Sequence, residues 1–231
     1  MSLLALDTSS LACSVAVQVG DDIVVRHEEQ AREHTRLLVP MISGLLQETG
    51  LSLHDLDAIV LGNGPGSFIG MRIAASVAQG LAFGAGIPIV PVSSMLAVAA
   101  RVSAECDAGD VVVCQDAHMN EVYLGLYTVD DAGLPVTLGE ERLHDQSPIP
   151  ELRDDAGRFI AAGFGWQRYP ALHEANAPYL LATSEVLHPS ARYLLPAGRA
   201  LLASGAAVSP QEVTPAYVRQ TVAQKPPRAR P

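Results

Sequence analysis

Apolar and polar positions alternate in a regular way over the first thirty residues. Leu3 to Leu6 are apolar and lead into a polar turn that begins at Asp7. The next two segments, Cys13 to Val19 and Ile23 to Glu28, alternate on either side of Gly20-Asp21-Asp22. Period-two alternation across a glycine-containing turn predicts a β-hairpin. The pattern therefore predicts a meander of three strands at the start of the chain.

Helical and extended patterns then alternate up to about residue 105. Apolar residues recur at helical spacing in His34 to Gly50. Met71 to Phe83 is apolar almost all round, with Arg72 as its only charge, which predicts a helix buried between layers. The other predicted elements are strands at Leu56 to Leu61 and Ile87 to Val92 and a helix from Ser94 to Ala104. The order βββαβαβα predicts an α/β fold with mixed sheets flanked by helices.

The second half of the chain has weaker patterning. Strands are predicted at Val111 to Asp116, Glu121 to Val129 and Phe159 to Ala162, and a helix interrupted by Pro196 and Gly198 at Ser190 to Ala203. We expect a first domain over residues 1–105 and a smaller second domain over residues 106–219. Residues 220–231 contain three prolines and scattered basic residues, which predicts a flexible tail.

Composition narrows the possible partners. Apolar residues make up 48% of the chain and charged residues 17%, as in a globular protein. The formal charge is −10 and the single lysine, Lys225, lies in the tail, so no basic stripe is available for direct binding of nucleic acid. Three cysteines without a CxxC pair predict reduced thiols and a cytoplasmic location. No signal peptide and no membrane span are expected.

The glycine-rich segment Gly62-Asn63-Gly64-Pro65-Gly66-Ser67 lies between a predicted strand and a predicted helix. Glycines allow the backbone to approach a ligand or a neighbouring helix, and the free N–H groups of the following helix form a potential anion site. The spacing matches neither a Walker loop nor a dinucleotide fingerprint. Two interpretations stay open at this point: a tight strand-to-helix turn, and an anion-binding loop.

Two helices offer surfaces for a partner. Small residues recur every four positions at Gly70, Ala74, Ala78 and Ala82, which favours either close internal packing or a subunit interface. The His34 helix carries six large apolar side chains, a stripe wide enough to face both the sheet and a partner. The residues predicted for a partner interface are Leu37, Leu38, Met41, Ile42, Leu45, Met71, Ala74 and Ala78.

Motifs for catalysis are missing from the sequence. The seven histidines show neither HExxH nor HxxxH spacing, and no Gly-x-Ser-x-Gly elbow occurs in its required context. Asp116, His118 and Glu121 lie close together and either hydrogen-bond across a domain cleft or form a solvated turn. We therefore predict no metal site and no catalytic residue in this chain.

Several segments together resemble the TsaB (YeaZ) family. The glycine-rich block is the most specific of them, and the likeness is thin between about residues 134 and 214. The segments are Leu4-Ala5-Leu6-Asp7-Thr8-Ser9, Ala12-Cys13-Ser14-Val15-Ala16, Leu61 to Ala82 (LGNGPGSFIGMRIAASVAQGLA), Val92-Ser93-Ser94-Met95, Gln115 to Tyr123 (QDAHMNEVY) and Pro215 to Arg219 (PAYVR). The family usually has threonine at the position of Ile69 and arginine at that of His118.

The resemblance implies a fold and a pathway. The implied fold is the actin-like, ASKHA-type (ribonuclease H-like) arrangement of two domains. In that superfamily an acid at the end of the first strand helps to hold metal-bound phosphates, which suggests a vestigial nucleotide or anion site. Its residues would be Asp7, Thr8, Ser9, Gly64, Gly66 and Ser67. The alternative is that Asp7 caps a turn.

The implied function is that of a non-catalytic subunit. The related protein TsaD transfers threonylcarbamoyl to N6 of adenosine 37 in tRNAs that read codons beginning with A. TsaD carries an HxxxH metal pair where this chain has Ser94 and Val98. The expected partners are TsaD, the ATPase TsaE and a second copy of this chain, with tRNA contacted only indirectly. ATP and a metal would be used by the partner subunits, and no cofactor by this chain.

Two other functions are compatible with parts of the sequence. An ATP-dependent phosphotransferase of the same superfamily would use Asp7 and the glycine-rich turn, but the chain shows no clear second phosphate loop. A glycoprotease-like peptidase is the more remote alternative, because neither a metal pair nor a nucleophile constellation is present in the sequence.

Overall fold

Strands and helices make up most of the chain in the computed structural model, which describes residues 1–30, 32–106 and 109–219. The predicted tail lies outside the described residues. The strands are β1 Ser2–Asp7, β2 Cys13–Val19, β3 Asp22–Glu28, β4 Ala58–Gly62, β5 Ile89–Val92, β6 Asp110–Asp116, β7 Val122–Val129, β8 Pro135–Thr137, β9 Arg142–His144, β10 Phe159–Ala162 and β11 Leu180–Thr183. The α-helices are α1 His34–Thr49, α2 Phe68–Ala85, α3 Ser94–Glu105, α4 Pro150–Asp154, α5 Phe164–Arg168, α6 Pro170–Asn176 and α7 Leu195–Ala203.

The first sheet has the strand order β3-β2-β1-β4-β5. β1 pairs antiparallel with β2 and parallel with β4, and β5 extends the parallel part. The predicted three-strand meander and the order βββαβαβα are confirmed. Because successive side chains of a strand point to opposite faces, Leu4 and Leu6 pack with α1 and α2, whereas Leu3 and Ala5 pack with the segment around α7.

The second sheet has the strand order β11-β10-β6-β7-β8, and β9 pairs with β7. Met95, Val98 and Val102 of α3 cover one face of this sheet. Helices α4, α5 and α6 cover the other face, where Trp166 and Leu172 are buried. The predicted arrangement of mixed sheets flanked by helices is confirmed in both halves.

Packing between the halves crosses the predicted boundary at residue 105. Helix α3 belongs to the predicted first domain but contributes a core face to the second sheet. In the opposite direction, Leu194 and Leu195 are fully buried against the first sheet, and Val208 bridges to Ile89. The chain therefore leaves the first sheet, builds the second, and returns to cover the back of the first.

The helix predicted over residues 190–203 is shorter than expected. Ala191–Leu194 form a 3₁₀ turn, and α7 begins at Leu195. Pro196 lies in the first turn of α7, where its missing N–H costs no helical hydrogen bond. A Cβ at Gly198 would collide with Val60 of β4, so glycine lets α7 approach the sheet closely. Neither residue interrupts the helix.

Helix α2 has two different faces. Ala74, Ala78 and Ala82 are fully buried against the first sheet, which confirms internal packing for the small-residue repeat. The prediction that the whole helix is buried is wrong, because Ile69 and Phe83 on the other side are 69% and 70% exposed. By length and apolar composition alone α2 could span a membrane, but its alanine face is part of the sheet core.

Candidate functional site

Asp7 is fully buried at the end of β1. Its Oδ1 accepts hydrogen bonds from the backbone N and the Oγ of Ser9, both at 2.8 Å. Its Oδ2 accepts from Ser94 Oγ at 2.5 Å. Burial raises the pKa of Asp7, although these hydrogen bonds oppose the rise. Both carboxylate oxygens are therefore occupied by the protein's own loop and helix α3.

Ser94 connects Asp7 to the glycine-rich turn. It is 1% exposed, and its Oγ accepts from the backbone N of Gly64 at 2.9 Å while donating to Asp7. Val98, one turn further along α3, is fully buried in the core of the second sheet. A hydroxyl and a core valine thus stand where the resemblance implies the two histidines of TsaD. Within residues 1–30, 32–106 and 109–219, no group of three or more His, Cys, Asp and Glu side chains is arranged to hold a metal.

The glycines of the turn allow close contact with the end of β1. A Cβ at Gly62 would collide with the Asp7 carboxylate, one at Gly66 with the Ser9 carbonyl, and one at Gly70 with the Thr8 carbonyl. Ser67 caps α2 by accepting from the Gly70 N at 3.2 Å. The strand-to-helix interpretation of this segment therefore accounts for its glycines.

A cavity of about 830 Å³ lies between the two halves of the chain. We call it the central cavity. Three residues of the predicted vestigial site, Ser9, Gly66 and Ser67, line it. Asp7, Thr8 and Gly64 do not, since Asp7 is bonded inward, Thr8 Oγ1 donates to the Gly70 carbonyl at 2.7 Å, and Gly64 contacts α3. The other lining residues are Ser10, Leu11, Arg32, His34, Thr35, Ile69, Gly70, Ile73, Gln115, Asp116, His118, Phe164 and His188.

His188 is one of the lining residues that the sequence did not indicate. It is 5% exposed, and its Nδ1 is buried without a hydrogen-bond partner among the described residues. Its ring lies 5.5 Å from that of Phe164, measured between centroids. Burial lowers the pKa of His188, so the imidazole is neutral near pH 7. No motif surrounds His188 in the sequence, and only the fold brings it to the cavity.

The hairpin between β6 and β7 forms one rim of the cavity. His118, Met119 and Asn120 all have positive φ angles, between 55° and 62°. Asp116 Oδ1 accepts from the backbone N of His118 at 2.8 Å and from Tyr169 Oη at 2.7 Å. Asp116 therefore does reach across to another element, whereas the His118 side chain is exposed as in a solvated turn.

A segment near the end of the described chain ties the hairpin to the first half. We call residues 214–219 the C-terminal strap. The Tyr217 ring lies 5.6 Å from that of Phe68, and Tyr217 Oη accepts from Arg72 Nε at 3.0 Å. Arg219 pairs with Glu121 at 2.6 Å and donates to the Ala117 carbonyl. This strap contains the PAYVR segment that the sequence singled out.

The outer face of α2 is apolar and open. It carries a single charge, Arg72, and comprises Phe68, Ile69, Arg72, Ile73, Ser76, Val77, Gly80, Phe83 and Gly84. A Cβ added at Gly80 or Gly84 would meet nothing within 4 Å. Each glycine costs the helix about 1 kcal/mol relative to alanine. Internal packing therefore does not explain either residue. Ile69 and Ile73 line both a groove on this face and the central cavity.

Comparison with known proteins gives consistent results. The family model described as TsaD, tRNA N6-adenosine threonylcarbamoyltransferase, matches residues 25–146. The chain is 35% identical to the tRNA threonylcarbamoyladenosine biosynthesis protein TsaB of Escherichia coli, over 97% of both chains. This chain belongs to the TsaB family. It is also 34% identical to the Haemophilus influenzae TsaB, over 97% of this chain and 96% of that one.

Solved structures of TsaB relatives share the whole fold. YeaZ from Pseudomonas aeruginosa matches with a TM-score of 0.85 and 36% identity, over 94% of this chain and 99% of that one. A second crystal structure, of an uncharacterised protein similar to peptidase YeaZ from the same organism, gives a TM-score of 0.86. The actin-like, ASKHA-type fold that the sequence implied is confirmed.

The residues predicted for a partner interface in this TsaB relative are mostly buried within the chain. The eight side chains chosen from the sequence form part of the core instead of a surface. Seven of them are buried and Leu37 is half-buried; the seven are Leu38, Met41, Ile42, Leu45, Met71, Ala74 and Ala78. The exposed side chains of α2, and Val39 on α1, lie on the opposite faces of the same two helices.

Both departures from the usual TsaB pattern are at the surface. Ile69 is exposed on the outer face of α2, and the side chain of His118 is 81% exposed at the hairpin tip. Neither substitution changes a core contact, which fits the whole-chain similarity to TsaB relatives.

Proposed function

We propose that this chain is a non-catalytic scaffold subunit that binds and organises TsaD. In this role it serves the transfer of threonylcarbamoyl to N6 of adenosine 37 in tRNA. The name of the Escherichia coli relative, a tRNA threonylcarbamoyladenosine biosynthesis protein, supports the pathway. The match of the TsaD family model supports a common fold for the two proposed partners.

The proposal of a protein partner rests on the exposed outer face of α2. Phe83 and Ile69 are large apolar side chains that are more than two thirds exposed, and Gly80 lies between them on the same face. A helix of a partner can pack closely over a glycine, and its apolar side chains can cover those of Phe83 and Ile69. The same face accounts for a homodimer when TsaD is absent.

A non-catalytic role is supported by the surroundings of Asp7. Its carboxylate is enclosed by Ser9 and Ser94, so a metal-bound phosphate could reach it only if those hydrogen bonds broke. This arrangement also disfavours the phosphotransferase alternative. In the proposed complex TsaD and TsaE use the metal and ATP, and this chain needs no cofactor. The charge of −10 leaves contact with tRNA to the partner, in the cytoplasm.

Two substitutions test the interface without disturbing the core. Ile69→Glu and Phe83→Glu each place a charge on an exposed apolar position, so the fold should survive while binding of TsaD is lost. Leu181→Glu is a matched control, because Leu181 is 50% exposed on β11 of the second sheet. The measurements are isothermal titration calorimetry with purified TsaD and circular dichroism of each variant.

We expect affinity to fall at least 100-fold in both α2 variants and to stay within threefold of wild type in Leu181→Glu. Folded Ile69→Glu and Phe83→Glu proteins that bind TsaD as tightly as wild type would refute the assignment of this face. Loss of threonylcarbamoyl transfer in a reconstituted complex, together with loss of binding, would tie the interface to the pathway.

A further inference from the structure

The apolar groove on the outer face of α2 contains one positive charge. The groove has a volume of about 380 Å³ and is lined by Phe68, Ile69, Arg72, Ile73, Ser76 and Val77. Arg72 is exposed and is the only charged residue of the helix. In the part of the chain that the structure describes, it makes no ion pair with a carboxylate, unlike Arg26 or Arg219. The groove therefore presents a charge that these residues do not neutralise.

Two aromatic rings hold the Arg72 guanidinium in place. Its central carbon lies 3.7 Å from the centroid of the Phe68 ring and 5.8 Å from that of the Tyr217 ring. Nε donates a hydrogen bond to Tyr217 Oη at 3.0 Å, while the two terminal nitrogens have no acceptor among the described residues. A guanidinium stacked on a ring keeps its planar edge available for a bidentate pair with a carboxylate. Since Nε is already used, that edge is formed by Nη1 and Nη2.

A partner that covers this face removes Arg72 from water. Such a partner packs on Ile69 and Ile73, which lie beside Arg72 in the groove. A charge that is buried without a counter-charge strongly opposes association. A carboxylate on the partner compensates for the lost hydration, whereas an entirely apolar surface does not. The groove therefore fits an apolar surface that carries an acidic side chain.

A second copy of the chain matches this charge poorly. In a twofold dimer the same surface of both copies meets, so two Arg72 side chains enter one interface. Helix α2 itself has no Asp or Glu. The acids of α1 and its N-cap, and of the 3₁₀ turns that pack against α2, already bond within the chain: Glu48 to Arg26, Glu33 to Arg36, Asp55 to Ser52 and Glu212 to Ser209.

We propose that Arg72 selects the partner of this face by pairing with a carboxylate that the partner supplies. The inference rests on the proposed function, in which TsaD packs on the outer face of α2. Nη1 and Nη2 of Arg72 donate two hydrogen bonds to one acidic side chain of TsaD, and Ile69 and Ile73 contact apolar groups around it. The same charge weakens self-association, so Arg72 favours the complex over the homodimer.

An Arg72→Met variant tests both effects. Methionine keeps an unbranched apolar side chain and removes the guanidinium. Arg199→Met is the matched control, because Arg199 is exposed on α7, which covers the opposite face of the first sheet. Isothermal titration calorimetry measures binding of TsaD to the full chain, analytical ultracentrifugation measures self-association, and circular dichroism checks the fold.

Opposite shifts are expected from this one substitution. Arg72→Met should bind TsaD at least about 30-fold more weakly, because the acid of the partner is left buried and unpaired. It should self-associate about tenfold more tightly, because two unmatched charges leave the dimer interface. The control should match wild type in both measurements. Wild-type affinity for TsaD, or self-association that is unchanged or weaker, would overturn the proposal.

Tyr217→Phe separates the charge from the attachment of the strap. This variant loses the hydrogen bond from Arg72 Nε but keeps the guanidinium, so it should bind TsaD at least about fivefold more tightly than Arg72→Met does. Equal loss in the two variants would contradict pairing with a carboxylate and assign Arg72 to the strap alone.

The Ile69→Glu and Phe83→Glu variants distinguish this inference from the proposed function. If they lose TsaD and Arg72→Met does not, the interface stands and the pairing is wrong. If they keep TsaD bound, or if the wild-type chain does not bind TsaD, both the interface and the pairing are wrong.

Discussion

Two carboxylates in this protein, one buried and one half-buried, are held by hydroxyl groups. Asp7 takes its hydrogen bonds from Ser9 and Ser94, and Glu141 takes its own from Ser93 and Tyr127. Ser93 and Ser94 are adjacent at the start of α3, so this helix is fixed to an acid of each half of the chain. Hydrogen bonds to buried carboxylates are stronger than those between neutral groups, which makes this junction rigid.

The Ser94→Ala variant measures the contribution of the first junction. The substitution removes a donor from Asp7 and an acceptor from the Gly64 N–H, both buried, so we expect the free energy of unfolding to fall by about 3 kcal/mol. Urea denaturation followed by circular dichroism measures it. Ser43→Ala, at an exposed position of α1, should change stability by less than about 0.5 kcal/mol. A loss below about 1 kcal/mol in Ser94→Ala would show that Asp7 does not depend on this hydroxyl.

A Glu141→Gln variant tests the second junction through pH. Oε1 of Glu141 accepts both hydrogen bonds, from Ser93 Oγ and Tyr127 Oη, so glutamine can keep them and lose only the charge. Burial raises the pKa of Glu141 above its usual 4.5. The folded state therefore holds this proton to higher pH than the unfolded chain, and the charged form destabilises the fold.

At pH 7 the glutamine variant should be the more stable protein, and its advantage should disappear as the pH falls through the folded pKa of Glu141 towards 4.5. Asp7 is present in both proteins, so its own titration cancels in the difference. Urea denaturation at a series of pH values measures this difference. An advantage that is constant with pH, or that grows on acidification, would contradict the assignment.

At the scale of elements, helix α2 has one face built for the sheet and one that the sheet does not use. Gly70 faces the Thr8 carbonyl, where no Cβ fits, and Gly80 faces open space. The sequence shows both simply as glycines in an apolar helix. Only the structure distinguishes a glycine required by internal packing from one that is not required.

Paired alanine substitutions in α2 make this difference measurable. Gly70→Ala should lower the free energy of unfolding by at least about 3 kcal/mol, because its Cβ would meet the backbone of β1's final turn. Gly80→Ala should raise it by up to about 1 kcal/mol, because alanine is the better helix former and meets no neighbour. Thermal unfolding of the two variants gives both values. Opposite signs are the expected result, and destabilisation by Gly80→Ala would contradict the open outer face.

The same helix shows what the sequence could and could not predict. Hydrophobic periodicity located α1, and a long apolar run located α2, because both depend on local pattern. It did not show which apolar face turns inward, since α2 is apolar on both. The predicted interface therefore included Leu38 and Ala78, which the first sheet covers, and did not include Phe83, which is exposed.

At the scale of the whole molecule, the last part of the chain packs against both halves. After building the second sheet it returns to the first, and the C-terminal strap then crosses back to the β6–β7 hairpin. The central cavity lies between these crossings. His188 and Ser67 line it together although they are far apart in the sequence, so no local motif could have predicted that they share a site.

A substitution at Arg219 tests the contacts that hold the last residue of the C-terminal strap. Arg219→Ala removes the pair with Glu121 and the hydrogen bond to the Ala117 carbonyl, and we expect a loss of about 1 kcal/mol. Hydrogen exchange at the Ala216 amide, which donates to the Asn63 carbonyl, should become faster. Arg36→Ala, which breaks an exposed pair with Glu33, is the control and should leave this amide unchanged. Equal protection in both variants would mean that the strap is held by its other contacts alone.

Ile69 and Ile73 form a wall that is common to the central cavity and the outer face of α2. A partner that packs on this wall from outside would therefore also touch the boundary of the cavity. Thermodynamic linkage requires reciprocity: if a molecule in the cavity alters the affinity for the partner, the partner alters the affinity for that molecule by the same factor. Two side chains of one helix would thus be enough to couple the inside of the cavity to assembly on the outer face.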